Sequence, residues 1–184
     1  MRDATKIGDY FYGAKTLFII PLYQRKYAWQ QKHCVRLFED LKKIHSESIP
    51  SHFFGSIVAT KDDRNDDDLL IIDGQQRITT LSLLILAGLN AVANGDMEPG
   101  NEDLEEVRKN YLYAVRKRVD RQIKLKPIEG DLEAYDALFT NNPDEFVKNT
   151  GMTSNYQLFY QMIKASVLNF SDMIGAIERL SVID

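Results

Sequence analysis

The sequence predicts an α/β (α+β) fold: a small mixed sheet with helices over residues 1–95, followed by a helical part over 96–184. Three observations predict it. Short apolar runs rich in β-branched and aromatic residues, at 17–20, 53–59 and 69–72, read as strands. Between and after them, 31–46 and 75–93 carry apolar residues at helical spacing. Beyond Pro99-Gly100, a linker signal, apolar residues step by three and four almost to the end.

Taken in order, Ile7, Tyr10 and Phe11 share one face of a short helix that Gly13 stops. The strand at 17–20 ends at Pro21, which cannot donate to a sheet ladder and holds Ile20 extended. Cys34, Leu37, Phe38, Leu41 and Ile44 mark the buried face of the helix at 31–46. A strand at 53–59 follows, then a charged loop at 61–68 and the strand at 69–72. Asp73-Gly74 breaks that strand, and the helix at 75–93 runs to Asn94-Gly95. After the linker, Leu104, Val107, Tyr111 and Val115 predict a helix, and 123–126 an extended piece before Pro127. Leu132, Tyr135, Leu138 and Phe139 form another helical face, and Asn142-Pro143 opens a short helix. Ser154 or Asn155 is expected to cap a helix through Phe170, and Ser171 the last one. Residues 177–184 read as a helix feeding a strand cut short, so the second part is expected to be truncated and the chain a fragment of a longer protein.

Composition narrows the function. The 184 residues are 44% apolar and 27% charged, ordinary for a globular chain. A net charge of −4 argues against broad non-specific DNA binding by these residues alone. The single cysteine, Cys34, excludes an internal disulfide and fits a reducing, cytoplasmic setting. The longest apolar stretch, near 83–92, is interrupted by Gly88 and Asn90, so no membrane span is expected. No secretory signal is visible.

The chemistry concentrates at 69–81, a strand, a glycine turn and a helix whose first turns carry Gln75, Gln76, Arg77, Thr79 and Thr80. A helix start offers unpaired N–H groups and partial positive charge, which suit a phosphate. Gly74 lets a ligand approach the backbone, and Arg77 offers a planar fork of donors. The same residues also read as an ordinary turn with Asp73 as a helix cap. Neither the GxxxxGK[ST] nor the GxGxxG spacing is present. A second segment, 18–29, follows its strand with Tyr23, Gln24, Arg25, Lys26, Tyr27 and Trp29. Its aromatics can stack a base or close the core beneath a loop, and its polar groups can meet phosphates.

Together these segments resemble the amino-terminal domain of GmrS-type proteins, a bacterial family related to the ParB and sulfiredoxin fold. The resemblance rests on an IPxYQRxYxW segment, here Ile20 to Trp29, and a DGQQRxTTL segment, here Asp73 to Leu81, with an FxGS strand (Phe53 to Ser56) between them. It implies a modification-dependent restriction or phage-defence protein in which the DGQQR segment binds and hydrolyses a nucleoside triphosphate (GTP, ATP, CTP or UTP, not distinguished). The triphosphatase would be Mg2+-dependent and would control a downstream nuclease domain or subunit acting on DNA, in some systems modified DNA. Carried over, Asp73, Gln75, Gln76 and Arg77 become the catalytic candidates, with Asp73 as the metal ligand. Tyr23, Gln24, Arg25, Gly74, Arg77, Thr79 and Thr80 become the nucleotide contacts. The alternative is a non-enzymatic module that binds modified DNA in the same groove, and homodimerisation is left open.

Other clusters carry less. Asp62, Asp63, Asp66, Asp67 and Asp68 lack the EF-hand order and read as a solvated loop. Eight cations between Arg108 and Lys126 could follow a DNA backbone, yet basic helix faces are common without a partner. His33, His45 and His52 match no zinc spacing, so nuclease activity is not expected from these residues. Glutamines stand where a sulfiredoxin-like reductase would need a cysteine, which makes redox chemistry unexpected.

Overall fold

The computed structural model describes residues 4–13, 15–116 and 119–183. It is α+β, as the sequence predicts, with elements in the order β1 (Thr5–Lys6), α1 (Ile7–Phe11), β2 (Leu17–Ile19), α2 (Gln31–Ser46), β3 (His52–Ser56), β4 (Val58–Asp62), β5 (Asn65–Asp73) and α3 (Gln75–Ala93). Then come α4 (Leu104–Val107) with a π-turn (Arg108–Leu112), β6 (Tyr113–Arg116), β7 (Val119–Ile123), β8 (Leu125–Lys126) and α5 (Glu129–Leu138). A 3-10 turn (Pro143–Glu145), α6 (Gly151–Ala165), α7 (Phe170–Ile177) and β9 (Leu180–Ile183) complete the chain.

Both halves of the chain build both main sheets. One sheet has the order β1-β9-β3, the other β4-β5-β2-β8, and β6-β7 pair as a separate hairpin. β8 lies parallel to β2, and β9 lies parallel to β3. The stretch after residue 95, mostly helical by its spacing with extended pieces at 123–126 and at its end, therefore supplies strands that flank or pair with those of the first half.

Three expected elements differ. The strand at 53–59 is two strands, β3 and β4, divided at Ile57 between the two sheets. The charged loop at 61–68 is instead a β-hairpin: Asp62 accepts from the Arg64 guanidinium, and Asp68 from that of Arg116. Two arginine-paired carboxylates, Asp62 at the end of β4 and Asp68 within β5, account for the burial that a solvated loop would lack. The helix over 104–115 stops at Leu112, and Tyr113 begins a strand.

The helix caps also shift. α6 starts earlier than expected, because Thr150 rather than Ser154 or Asn155 caps it, accepting from the Thr153 N–H, and it ends at Ala165 rather than at Phe170. Asn169, not Ser171, caps α7 through a capping box with Asp172.

The core centres on α3, which is enclosed along almost its whole length. It is apolar and long enough to cross a membrane by composition alone, yet 83% of its most apolar window is buried against other elements. Gly88 explains part of the close packing: a Cβ there would lie 2.4 Å from the Met173 Cε on α7. Asn90 is buried and donates to the Tyr156 hydroxyl at 2.7 Å. Cys34 is the buried thiol the helical face predicts, and burial pushes its pKa up to about 11, which leaves it unreactive.

Candidate functional site: the turn into α3

Where β5 leaves its sheet, Asp73 does not cap the helix; its Oδ1 accepts from the Gly74 N–H at 2.7 Å. Gly74 sits at φ 88°, and a Cβ on it would lie 2.8 Å from the Ser56 carbonyl oxygen. Only glycine fits that turn. The N–H groups of Arg77 and Ile78 return to the Gly74 carbonyl, and no side chain caps the helix. Those of Gln75 and Gln76 find no acceptor among the described residues and stand at the positive end of a 19-residue helix.

The two glutamines differ in kind. Gln76 spans to the 20–30 segment: its Oε1 accepts from Ala28 N–H at 2.8 Å and its Nε2 donates to the Lys26 carbonyl at 3.2 Å. Both ends of its amide are thus committed to positioning. Gln75 is only 7% exposed, and its amide meets no partner among the described residues. Its head group borders the open space in front of the helix.

Arg77 is fixed by backbone rather than by acid. Its Nε donates to the Phe54 carbonyl at 3.0 Å and its Nη1 to the Ser56 carbonyl at 3.4 Å. Among the described residues no carboxylate pairs with it, so the positive charge is oriented but not neutralised. Gly55, at φ 130°, makes this possible, because a Cβ there would fall 2.3 Å from the Arg77 Nε. A glycine inside a strand signals such a close approach, and this one was readable in the Phe-Phe-Gly-Ser run.

The 20–30 segment forms the opposite wall and is held from several sides. Gln24 Nε2 donates to the Ile72 carbonyl at 2.8 Å. Tyr27 N–H donates to Asp131 Oδ2 on α5 at 2.7 Å, and Asn155 on α6 donates to the Tyr27 hydroxyl and to the Trp29 carbonyl. The Tyr27 hydroxyl also bonds Thr80 Oγ1 at 2.8 Å, and Thr80 donates to the Gln76 carbonyl at 2.7 Å. Tyr27 is therefore a structural residue, its phenol pushed well above the usual range by burial. Asp131 and Asn155 are positioning residues that no sequence motif marked.

Between these walls lies an open cavity of about 460 Å3, lined by Gln24, Arg25, Trp29, Asp73, Gly74, Gln75, Gln76 and Arg77. The structure thus gathers most of the residues selected from the two motifs. Tyr23 is not on the wall and is 74% exposed beside it. Thr79 and Thr80 are buried, Thr80 in the hydroxyl network and Thr79 beside a crevice of about 10 Å3. Asp73 is exposed, with one carboxylate oxygen free of the Gly74 bond. No group of three or more His, Cys, Asp or Glu able to hold a metal occurs among the described residues. A cation at Asp73 would need phosphate oxygens and water for its other positions, which is how Mg2+ is commonly held.

The five-aspartate run offers no such centre, since Asp62 and Asp68 are engaged by Arg64 and Arg116. The basic run is not a helix face either. The buried Lys124 donates to three carbonyls, Arg108 pairs with Glu105, and Lys117, Arg118 and the Arg121 side chain lie outside the described residues.

A family described as the GmrSD restriction endonuclease, N-terminal domain, matches residues 7–183, and the chain belongs to that family. The match spans both halves, in keeping with sheets that both halves build. No curated protein matches the chain.

The division between the glutamines is testable. Gln76→Ala is expected to lower unfolding free energy by about 1–3 kcal/mol, because two partners in the 20–30 segment lose their bonds. Gln75→Ala is expected to cost less stability than Gln76→Ala, because its amide leaves no bonded partner behind, and to reduce ligand binding or turnover. Urea unfolding and calorimetric titration of both variants separate the two roles.

Proposed function

We propose that the chain is a nucleoside-triphosphate-binding and -hydrolysing domain that governs the nuclease of a restriction protein. The observation that carries this reading is the polar cavity at the start of α3, where two unpaired N–H groups, the uncompensated Arg77 and the exposed Arg25 face one space. Phosphate oxygens are the ligand such a donor set suits, since bonds to charged acceptors are roughly twice as strong as neutral ones. Gln75 carries the one uncommitted amide at the helix start and orients water for attack on the terminal phosphorus. The bond to the bridging oxygen then breaks, releasing orthophosphate and the diphosphate. Asp73, with Mg2+ bound, would help neutralise the phosphates. The nuclease and the DNA it cuts are outside these residues, so control requires that the nucleotide favour one of two arrangements of the whole protein.

Titration of GTP, ATP, CTP and UTP with Mg2+, followed by calorimetry and phosphate release, tests the reading. Arg25→Ala, at an exposed position, is expected to weaken binding tenfold or more without loss of stability. Turnover unchanged in the Arg25→Ala and Gln75→Ala proteins would remove the assignment. Binding of modified duplex DNA that ignores added nucleotide would favour the DNA-recognition alternative instead.

A further inference from the structure

The space in front of α3 does not end at Arg77. Arg77 and Trp29 also wall a second cavity, of about 210 Å3, between α2 and β3. The two differ in chemistry. The first is walled by glutamines, arginines and Asp73; the second by Trp29, Phe53, Phe54 and His33 over the buried Leu37. Arg36, Asp40 and His52 supply its polar groups.

Its shape depends on an irregular strand. Successive side chains of a strand point to opposite faces, but the β3–β9 register shifts between Phe53 and Gly55, so Phe54 falls out of alternation. Two consecutive rings consequently border one cavity. The Trp29 indole meets His33 at 5.5 Å and 52°, and Phe54 at 6.4 Å and 67°. Neither ring lies parallel to it, so among the described residues no ring is stacked on the indole. Asp40 Oδ2 is 3.5 Å from the His52 imidazole, and Arg36 is exposed. A carboxylate and a guanidinium thus line the same cavity as a half-buried indole.

We propose that this second cavity is the nucleobase subsite, which rests on the triphosphate reading above. The base lies on Trp29 with its polar edge toward Asp40 and Arg36, the phosphates lie against α3, and Arg77 marks the junction. A carboxylate accepts from ring or exocyclic N–H groups and a guanidinium donates to a ring carbonyl or nitrogen, so this edge ranks the four bases.

Trp29 is the chain's single tryptophan and borders both cavities, so its selectively excited fluorescence responds to a ligand in either, and tripolyphosphate serves as the reference for the phosphate cavity alone. The full chain is titrated with non-hydrolysable GTP, ATP, CTP and UTP analogues and, separately, with inorganic tripolyphosphate, while calorimetry gives the affinities. The nucleotides are expected to quench Trp29 and to bind roughly tenfold or more tighter than tripolyphosphate, the contribution of one stacked base. Tripolyphosphate is expected to bind without the additional quenching that a base against Trp29 causes. Asp40→Asn is expected to change the order of preference among the four bases while leaving tripolyphosphate affinity unaltered. Equal affinity and equal fluorescence for nucleotides and tripolyphosphate would overturn the subsite and leave the phosphate site standing. An unaltered base order in Asp40→Asn would overturn the reading of the base edge. If neither ligand binds, the triphosphate reading itself falls.

Discussion

Gly55→Ala, a change of one methyl group in a strand, is expected to abolish as much nucleotide affinity as Arg77→Ala. The added Cβ would sit 2.3 Å from the Arg77 Nε, 2.6 Å from its Cζ and 2.8 Å from its Nη2, so the guanidinium must leave. With it go the bonds to the Phe54 and Ser56 carbonyls and the orientation of an unpaired charge toward the cavity. Bonds from a guanidinium to a charged acceptor contribute about 1.5–3 kcal/mol, roughly ten- to hundredfold in affinity. An L-residue at φ 130° adds strain, so Gly55→Ala should also lower stability by about 1–3 kcal/mol. The decisive measurement is the double variant. If both changes act through the same guanidinium, Gly55→Ala with Arg77→Ala binds no more weakly than either alone. Losses that add would show that the strand glycine does not act through Arg77.

That coupling also shows why the site was only partly legible. The turn at Gly74 and the helix after it follow from local rules, a strand broken by Asp-Gly and sixteen or more residues of helical periodicity; α2 and α3 match their expected bounds for this reason. What the Arg77 guanidinium touches is set by β3, more than twenty residues earlier, and no local pattern carries it. The same holds for Gln76. The family resemblance makes it a catalytic candidate, and no local pattern tells that its amide bonds the backbone of Lys26 and Ala28. The β4–β5 hairpin was hidden because five aspartates look like a loop until Arg64 and Arg116 are brought to Asp62 and Asp68. Spacing misled beyond Leu112 because Leu104, Val107 and Tyr111 do lie on a helical turn, and nothing local announces that Tyr113 pairs with Ile123 instead.

The second half contributes to the site as well as to the sheets. Asp131 holds the Tyr27 N–H and Asn155 holds the Tyr27 hydroxyl and the Trp29 carbonyl. The 20–30 segment, which presents Gln24, Arg25 and Trp29 to the cavity, is thereby tied to α5 and α6 as firmly as to α3. On the triphosphate reading proposed above, a ligand that moved this segment would strain those bonds and so act on the helices. Such an action requires that the helices have two arrangements of differing affinity.

Lys124 makes stability depend on alkaline pH in an unusual direction. It is fully buried, its Nζ donating to the carbonyls of Phe11, Gly13 and Asn110 at 2.9, 3.1 and 2.7 Å, and no acid shares the site among the described residues. Burial pulls its pKa down to about 8, against about 10.4 for an unfolded lysine. Between those values the unfolded chain binds more protons than the folded one, so stability rises with pH, by at most about 3 kcal/mol across the window. The buried tyrosines Tyr27, Tyr111, Tyr135 and Tyr156 act oppositely. Burial raises their pKa values, so their contribution is lost only above about pH 10. Cys34 titrates within the same range: burial pushes its thiol up to about 11 against about 8.5 unfolded, so its contribution is lost as pH rises. Urea unfolding at pH 7.5, 8.5 and 9.5 should therefore show Lys124→Met losing stability over a range in which the wild type, with the opposing Lys124 contribution, loses less or gains. At pH 9.5 the variant is expected to be the less stable of the two, because methionine offers no donor to the three carbonyls and each unpaired buried acceptor costs about 1 kcal/mol or more. Parallel pH profiles for both proteins would mean that Lys124 keeps its proton throughout, its charge held by the carbonyls strongly enough to offset desolvation.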